Sequence, residues 1–295
     1  MSEKEVKEEI NPFIGDVKPN WCLGCGNYGL LTATTNALAK LGFKPNEVVF
    51  TSGIGCSSNF PHWTSVYGIH SLHGRSLPVA MGVRLTNPTL TVIAVSGDGD
   101  TYGIGMGHFI HAARRNLDMT CLVMNNQING LTTGQYSPTS QLGHITITSP
   151  LNGVDEYPIN PISLALGAGT SFVARGFSGN RKHLQSIIEK AIQHKGFAFV
   201  DVLSPCVTFN RLNTYSWFRE RVYELGDDHD TTNICDGLIK AQEWGEKIPI
   251  GVFYQIMKPS LKDLDPTLQD RIPVNEPLGF KAQGINIQDI LDEFR

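Results

Sequence analysis

The chain has 295 residues, of which 41% are hydrophobic and 30 are glycine, with a formal net charge of −4 at pH 7. That length can bury a full core in one large domain or two small ones. The charge leaves no basic footprint for nucleic acid, and no run of about 18 apolar residues would span a membrane, so neither partner is expected. No secretory leader is visible, which points to a cytoplasmic location.

Residues 1–20 read as a charged, solvated N-terminal tail. Asn27–Leu41 carries apolar residues at helical spacing and stops before Gly42. Glu47–Thr51 reads as a strand and Leu77–Leu85 as a short helix. Leu90–Ser96 is a nearly continuous apolar run, the pattern of a parallel strand buried on both faces. A helix over Gly105–Asn116 and a strand over Met119–Met124 follow. Residues 128–160 are rich in Thr, Ser, Gly and Pro without a period. A stretch of that length reads as an ordered active-site loop when it starts at a motif. Then come a helix at Pro161–Gly167, a strand at Ser171–Arg175, a helix at Lys182–His194 and a strand at Phe197–Leu203. This alternation predicts an α/β fold, a doubly wound, mainly parallel sheet with right-handed crossovers.

After Asn210 the composition shifts, and residues 211–295 read as a C-terminal extension packing on a partner subunit or on its own domain. It holds a helix near Ile234–Gly245. Asp227, Asp228 and Asp230 around His229 read as a solvated turn in preference to a calcium site. Likewise His108 and His111, three apart on the predicted helix, read as packed or solvated residues in preference to a metal pair.

Two constellations carry chemistry. Gly97-Asp98-Gly99-Asp100 follows one buried strand, and Asn125-Asn126 follows the next. An acid and an amide at neighbouring strand ends converge at the carboxyl edge of a sheet, where hard oxygen ligands suit a Mg²⁺ that also holds phosphates. Asp98 would bind through its carboxylate, Asn126 through its amide oxygen and Ile128 through its main-chain carbonyl. Gly97 and Gly99 let backbone approach a diphosphate, and the helix beyond, expected from Gly105, would point its N-terminus at the anion. The pair resembles the GDG…NN signature of thiamine diphosphate enzymes.

The second constellation is sulfur. Cys22 and Cys25 form Cys-x-x-Cys within Trp-Cys-Leu-Gly-Cys-Gly-Asn, Cys56 lies in Ser-Gly-Ile-Gly-Cys-Ser, and Cys206 follows Ser-Pro. Cys121 sits inside an apolar strand, and Cys235 has no motif around it. Four loop thiols in a reducing compartment point to a metal site. Spacing alone leaves structural zinc and an iron–sulfur cluster both open, since each is tetrahedral at sulfur. A redox centre beside thiamine diphosphate has a use, which favours a 4Fe–4S cluster.

From about Trp21 to about Asn210 the chain resembles the beta subunit of 2-oxoacid:ferredoxin oxidoreductases. The matching stretches are WCLGCGN, SGIGCSS, GIHSLHGR, GDGDTYGIGMGH, NNQI, GLTTGQYSPTS and the Ser-Pro-Cys before Asn210. The resemblance implies oxidative decarboxylation of a 2-oxoacid with coenzyme A to an acyl-CoA, CO₂ and reduced ferredoxin. It places cluster ligands on Cys22, Cys25, Cys56 and Cys206, and magnesium ligands on Asp98, Asn126 and Ile128. Thiamine diphosphate contacts fall on Ile54, Gly55, Cys56, Ser57, His73, Gly99, Asp100, Gly130 and Leu131. Residues 21–210 would thus form the diphosphate-side and iron–sulfur domain. The stretches Gln135–Ser140 and Asn180–Leu184 resemble members acting on 2-oxoglutarate.

Two positions depart from the family pattern. Asn129 stands where an aromatic residue is usual, and Asn59 stands where relatives taking dicarboxylic 2-oxoacids often carry a cation. Asn59 and Leu131 are the expected substrate-pocket residues, and a neutral Asn59 keeps pyruvate or a mixed specificity open beside 2-oxoglutarate. No acid here has a signature for protonating the cofactor's aminopyrimidine. The resemblance implies that an alpha subunit supplies that glutamate, so the chain alone should be inactive. The rival readings are a non-oxidative thiamine diphosphate lyase with structural zinc, and a non-catalytic partner module.

Overall fold

A computed structural model describes residues 11–269, 271–280 and 284–295. Helix α1 (Asn27–Lys40) leads to β1 (Val48–Ser52), a 3₁₀ segment (Ser57–Trp63) and β2 (Tyr67–His70). Then come α2 (Ser76–Thr86), β3 (Thr91–Gly97), a wide helical turn (Gly99–Ile104), α3 (Met106–Arg115) and β4 (Met119–Asn125). Beyond the long loop lie α4 (Pro161–Gly167), β5 (Phe172–Phe177), α5 (Arg181–Gln193) and β6 (Phe197–Leu203). The chain continues with α6 (Tyr215–Arg219), β7 (Val222–Glu224), α7 (Ile234–Ala241), β8 (Ile248–Gln255), α8 (Leu261–Leu264) and α9 (Ile287–Asp292).

One eight-stranded sheet runs in the order β2-β1-β3-β4-β6-β5-β8-β7. The six strands from β2 to β5 are mutually parallel, and β8 joins β5 antiparallel. Alternate side chains feed two cores, because successive residues of a strand face opposite sides. Ile93, Val95, Leu122 and Met124 pack with α1 and α5, while Val92, Ala94, Cys121 and Val123 pack with α2, α3 and α4. The chain turns one way from β1 to β2 and the other way to β3. The crevice of such a sheet opens at that reversal, at the carboxyl ends of β1 and β3.

Three expectations need adjustment. Residues 11–20 are not a free tail: Phe13 is fully buried in the core, and Gly15 N–H donates to the Trp63 carbonyl at 2.9 Å. The rest of that predicted tail, residues 1–10, lies outside the described residues. The predicted extension from residue 211 supplies β7 and β8 to the same sheet, so the cut at 210 separates strands that share one core. The helix expected from Gly105 is preceded by the turn Gly99–Ile104, which opens directly after Asp98 and kinks at Gly103 before α3 starts. Backbone N–H groups at the start of that turn, not at α3, therefore border the crevice.

Candidate active site

Five loops, all following the carboxyl ends of parallel strands, build the site. Gly53–Cys56 follows β1, Ser71–Arg75 follows β2, Asp98–Asp100 follows β3, Asn126–Gly130 follows β4 and Ser204–Cys206 follows β6. A cavity of about 220 Å³ opens among the first four. All nine residues expected to contact thiamine diphosphate line it, together with Asp98, Asn126 and Ile128. Asn59 does not: it lies on the 3₁₀ segment and is absent from the cavity wall.

Asp98 is 2% exposed. Ser137 and Thr139, from the long loop, donate hydroxyls to its Oδ2 at 2.6 and 2.7 Å. Burial pushes its carboxyl up to about 6, and the two hydroxyls pull in the opposite direction. A buried carboxylate held by hydroxyls and backbone N–H groups lacks a cation, and a Mg²⁺ would supply one. Asn126 folds its amide oxygen onto the Ile128 N–H at 3.1 Å, across Gln127, whose φ of 57° is left-handed. That reversal returns Ile128 to the cavity wall. The donor set is carboxylate, amide and carbonyl oxygen, which fits magnesium.

Asp100 performs a different task. It is buried, and its Oδ1 accepts from the Gly74 N–H at 2.7 Å, the Ile54 N–H at 3.1 Å and the His73 ring Nδ1. One carboxylate thereby ties three of the loops together. With Nδ1 bonded to Asp100, the other ring nitrogen of His73 is left for the cavity that His73 lines; it donates there when the ring is protonated. Glycines make the approach possible. A Cβ on Gly53 would overlap the Asp100 carboxylate, and one on Gly99 would overlap the Asn129 side chain. Asn129, in the place usual for an aromatic residue, also donates to the Tyr136 carbonyl at 2.8 Å and so pins the long loop.

The four loop cysteines gather at one end of this cavity. Cys56 itself lines it, and a Cβ on Gly130 would lie 3.7 Å from Cys206 Sγ and 3.8 Å from Cys56 Sγ. Cys25 N–H donates to the Cys22 carbonyl at 3.0 Å, closing the Cys-x-x-Cys turn, and Gly26 N–H donates to the Pro205 carbonyl at 3.0 Å, docking that turn on the Cys206 loop. Phe209 N–H donates to Cys206 Sγ at 3.5 Å. Burial pushes the Cys25 thiol up to about 12, and the neighbouring Cys206, Cys56 and Cys22 add to the rise. Burial also raises Cys56, with Cys206 and Cys22 contributing. Thiols that raise one another in this way favour a cationic metal core, which would bind them as thiolates. Among the described residues no group of three or more His, Cys, Asp or Glu closes on a single metal-ion position. Cys121 is buried in β4 and Cys235 is exposed on α7, both apart from this group.

Sequence reasoning missed Ser137 and Thr139 as partners of Asp98. Their signal lay in Gln135–Ser140, a stretch singled out only for its family likeness. The other such stretch, Asn180–Leu184, opens α5: Asn180 Oδ1 accepts from the His183 N–H at 3.4 Å as a helix cap.

Fold and site together define a doubly wound α/β domain with a group of cysteines at one end of its crevice cavity. The thiamine pyrophosphate enzyme C-terminal TPP binding domain matches residues 53–202, and the C-terminal domain of the pyruvate ferredoxin oxidoreductase beta subunit matches residues 206–270. A 2-oxoacid:ferredoxin oxidoreductase subunit beta from Saccharolobus solfataricus is 43% identical, covering 94% of this chain and 96% of its own. The 2-oxoglutarate oxidoreductase subunit KorB of Mycobacterium tuberculosis is 47% identical over 67% of this chain and 53% of its own. A solved 2-oxoglutarate:ferredoxin oxidoreductase from Magnetococcus marinus, with 2-oxoglutarate, coenzyme A and succinyl-CoA bound, superposes with a TM-score of 0.87. It is 35% identical and covers 99% of this chain and 98% of that one. This chain belongs to the beta subunits of the 2-oxoacid:ferredoxin oxidoreductases.

Proposed function

We propose that this beta subunit oxidises 2-oxoglutarate with coenzyme A to succinyl-CoA and CO₂. In this reading electrons pass through a 4Fe–4S cluster on Cys22, Cys25, Cys56 and Cys206 to ferredoxin. The observation that carries it is the sharing of one cavity by Asp98, Asn126 and Cys56, so that a diphosphate anchor and a cluster ligand lie side by side. When bound, thiamine diphosphate would supply the electron sink for decarboxylation. Asp98, Asn126 and the Ile128 carbonyl would hold Mg²⁺ on its diphosphate. Gly97, Gly99 and the turn after Asp98 would admit the phosphates, and protonated His73, oriented by Asp100, would donate a charge-assisted hydrogen bond to them. Leu131, exposed at the cavity rim, would face the substrate.

Large apolar side chains stand exposed beside the same loops: Leu72 next to His73, Ile104 at the end of the Gly99 turn, and Leu131. This supports an alpha subunit that covers the mouth and supplies the pyrimidine-side glutamate, with the C-terminal residues packing against it. Among the described residues no helix is long and apolar enough to cross a membrane. Free loop thiols accord with a cytoplasmic enzyme.

A second reading, pyruvate or mixed specificity, is favoured by the cavity wall, where no Lys or Arg among the described residues offers a charge to a distal carboxylate. A panel of 2-oxoacids with coenzyme A and a viologen acceptor, run on the alpha–beta complex, decides between them. Preference for 2-oxoglutarate by at least tenfold in kcat/KM supports the first reading; equal or better use of pyruvate overturns it.

A further inference from the structure

A second cavity, of about 240 Å³, is lined by Asn125 and Gln127, the residues either side of Asn126, by Thr139, the partner of Asp98, and by Arg175 and Trp244 among others. Two of these residues carry buried polar atoms with no hydrogen-bond partner among the described residues, Arg175 Nη1 and Gln127 Oε1. An unmade hydrogen bond at a buried group is costly, and Arg175 is only 1% exposed. Each side chain is anchored by one hydrogen bond. Arg175 Nε donates to Asp201 Oδ2 at 3.1 Å, with its guanidinium 5.4 Å from the Trp244 ring centre. Gln127 Nε2 donates to the Thr139 carbonyl at 3.0 Å. Gln127 also holds a left-handed φ of 57°, a conformation that costs a non-glycine residue energy and that clusters at ligand sites.

The charge balance narrows the occupant. Asp201 neutralises Arg175 and is itself satisfied by Tyr102 OH at 3.1 Å and Asn125 Nδ2 at 3.0 Å. No other charged side chain among the described residues lines the cavity. An anion would leave one uncompensated buried negative charge, whereas a neutral ligand leaves none. The two free atoms are one donor and one acceptor, and Trp244, 37% exposed, lines the same cavity.

We propose that this cavity is a second ligand site for a neutral planar group presenting a hydrogen-bond acceptor beside an N–H donor. The amino edge of an adenine base and a pyridine carboxamide both have that chemistry. The acceptor meets Arg175 Nη1, the donor meets Gln127 Oε1, and the ring stacks against Trp244. The site is distinct from the thiamine cavity, and its assignment does not depend on the substrate.

The test is calorimetric titration of the purified alpha–beta holocomplex with adenosine, nicotinamide and benzoate. Adenosine or nicotinamide binds at millimolar concentration or below, and whichever binds tighter identifies the source of the group. Benzoate binds at least tenfold more weakly. Trp244→Leu and the charge-conserving Arg175→Lys each weaken the tighter ligand at least tenfold while thiamine diphosphate content stays at the wild-type level. Should Arg175→Lys fail to fold, Trp244→Leu, which changes a half-exposed ring, carries the test alone. No binding by either neutral ligand, binding of benzoate equal to theirs, or unaltered affinity in Trp244→Leu overturns the proposal.

Discussion

Asp98 is the residue on which Mg²⁺ binding would turn in the proposed site. Its carboxyl, raised from the usual 3.8 to about 6 by burial, holds its proton more tightly in the folded chain than in the unfolded one. Its contribution to the stability of the metal-free protein is therefore full below about pH 4 and is lost as pH rises through 6. Magnesium needs the ionised form, so the dependence reverses for the ion. The rise in Tm on adding Mg²⁺ to metal-free complex should be large at pH 7.5 and shrink below pH 6. In Asp98→Asn it should be small at every pH, measured by thermal shift. Gly53 tests the neighbouring contact. Its Cβ has no room beside Asp100, so Gly53→Ala should lower retained thiamine diphosphate at least tenfold after desalting, since Asp100 can no longer tie the three loops. Asp98, Asn126, Cys56 and Cys206 were legible as distinctive chemistry at strand ends, and Cys22 and Cys25, ahead of α1, by their Cys-x-x-Cys spacing. Gln127 and Arg175 were not, because an unmatched buried atom has no sequence pattern.

At the level of elements, strands with continuous apolar runs were read close to their observed bounds, as β3, β4 and β6 are. β2 escaped notice because Tyr67–His70 is an exposed edge strand containing Gly68, with no buried face to leave a pattern. β8 escaped because Pro249 and Gly251 interrupt its run, residues that weaken a strand reading. Phe13 escaped because a lone aromatic in a polar segment has no period. The integration of β8 has an energetic consequence. Phe253 is fully buried in the core shared with Phe109 and Phe199, so Phe253→Ala should destabilise the chain by about 3–5 kcal/mol, seen as a lowered urea midpoint. Asn180 makes the contrasting case. It caps α5 and lines neither cavity, so Asn180→Ala should cost about 1 kcal/mol in stability and leave the ratio of 2-oxoglutarate to pyruvate turnover unchanged.

For the molecule as a whole, fold class and family were legible because the motifs sit at strand ends in the order a doubly wound sheet requires. The extent of the sheet was not, since β7 has only three residues and Pro249 and Gly251 interrupt the apolar run of β8. In the proposed reading the architecture joins two functions in one crevice. The β1, β3 and β4 loops would cradle an anionic cofactor, and the Cys-x-x-Cys turn and the β6 loop bring sulfur to the edge of that cavity. Zinc on those sulfurs would clamp loops and do nothing with electrons, whereas an iron cluster gives the cavity an electron outlet. The most direct measurement is anaerobic purification of the alpha–beta complex with metal, sulfide and thiamine analysis. The account predicts four irons, four acid-labile sulfides and one thiamine diphosphate for each beta chain beyond any cluster carried by the partner, with the four irons lost in Cys56→Ala. Zinc in place of iron on this chain, or iron content unchanged by Cys56→Ala, would contradict it.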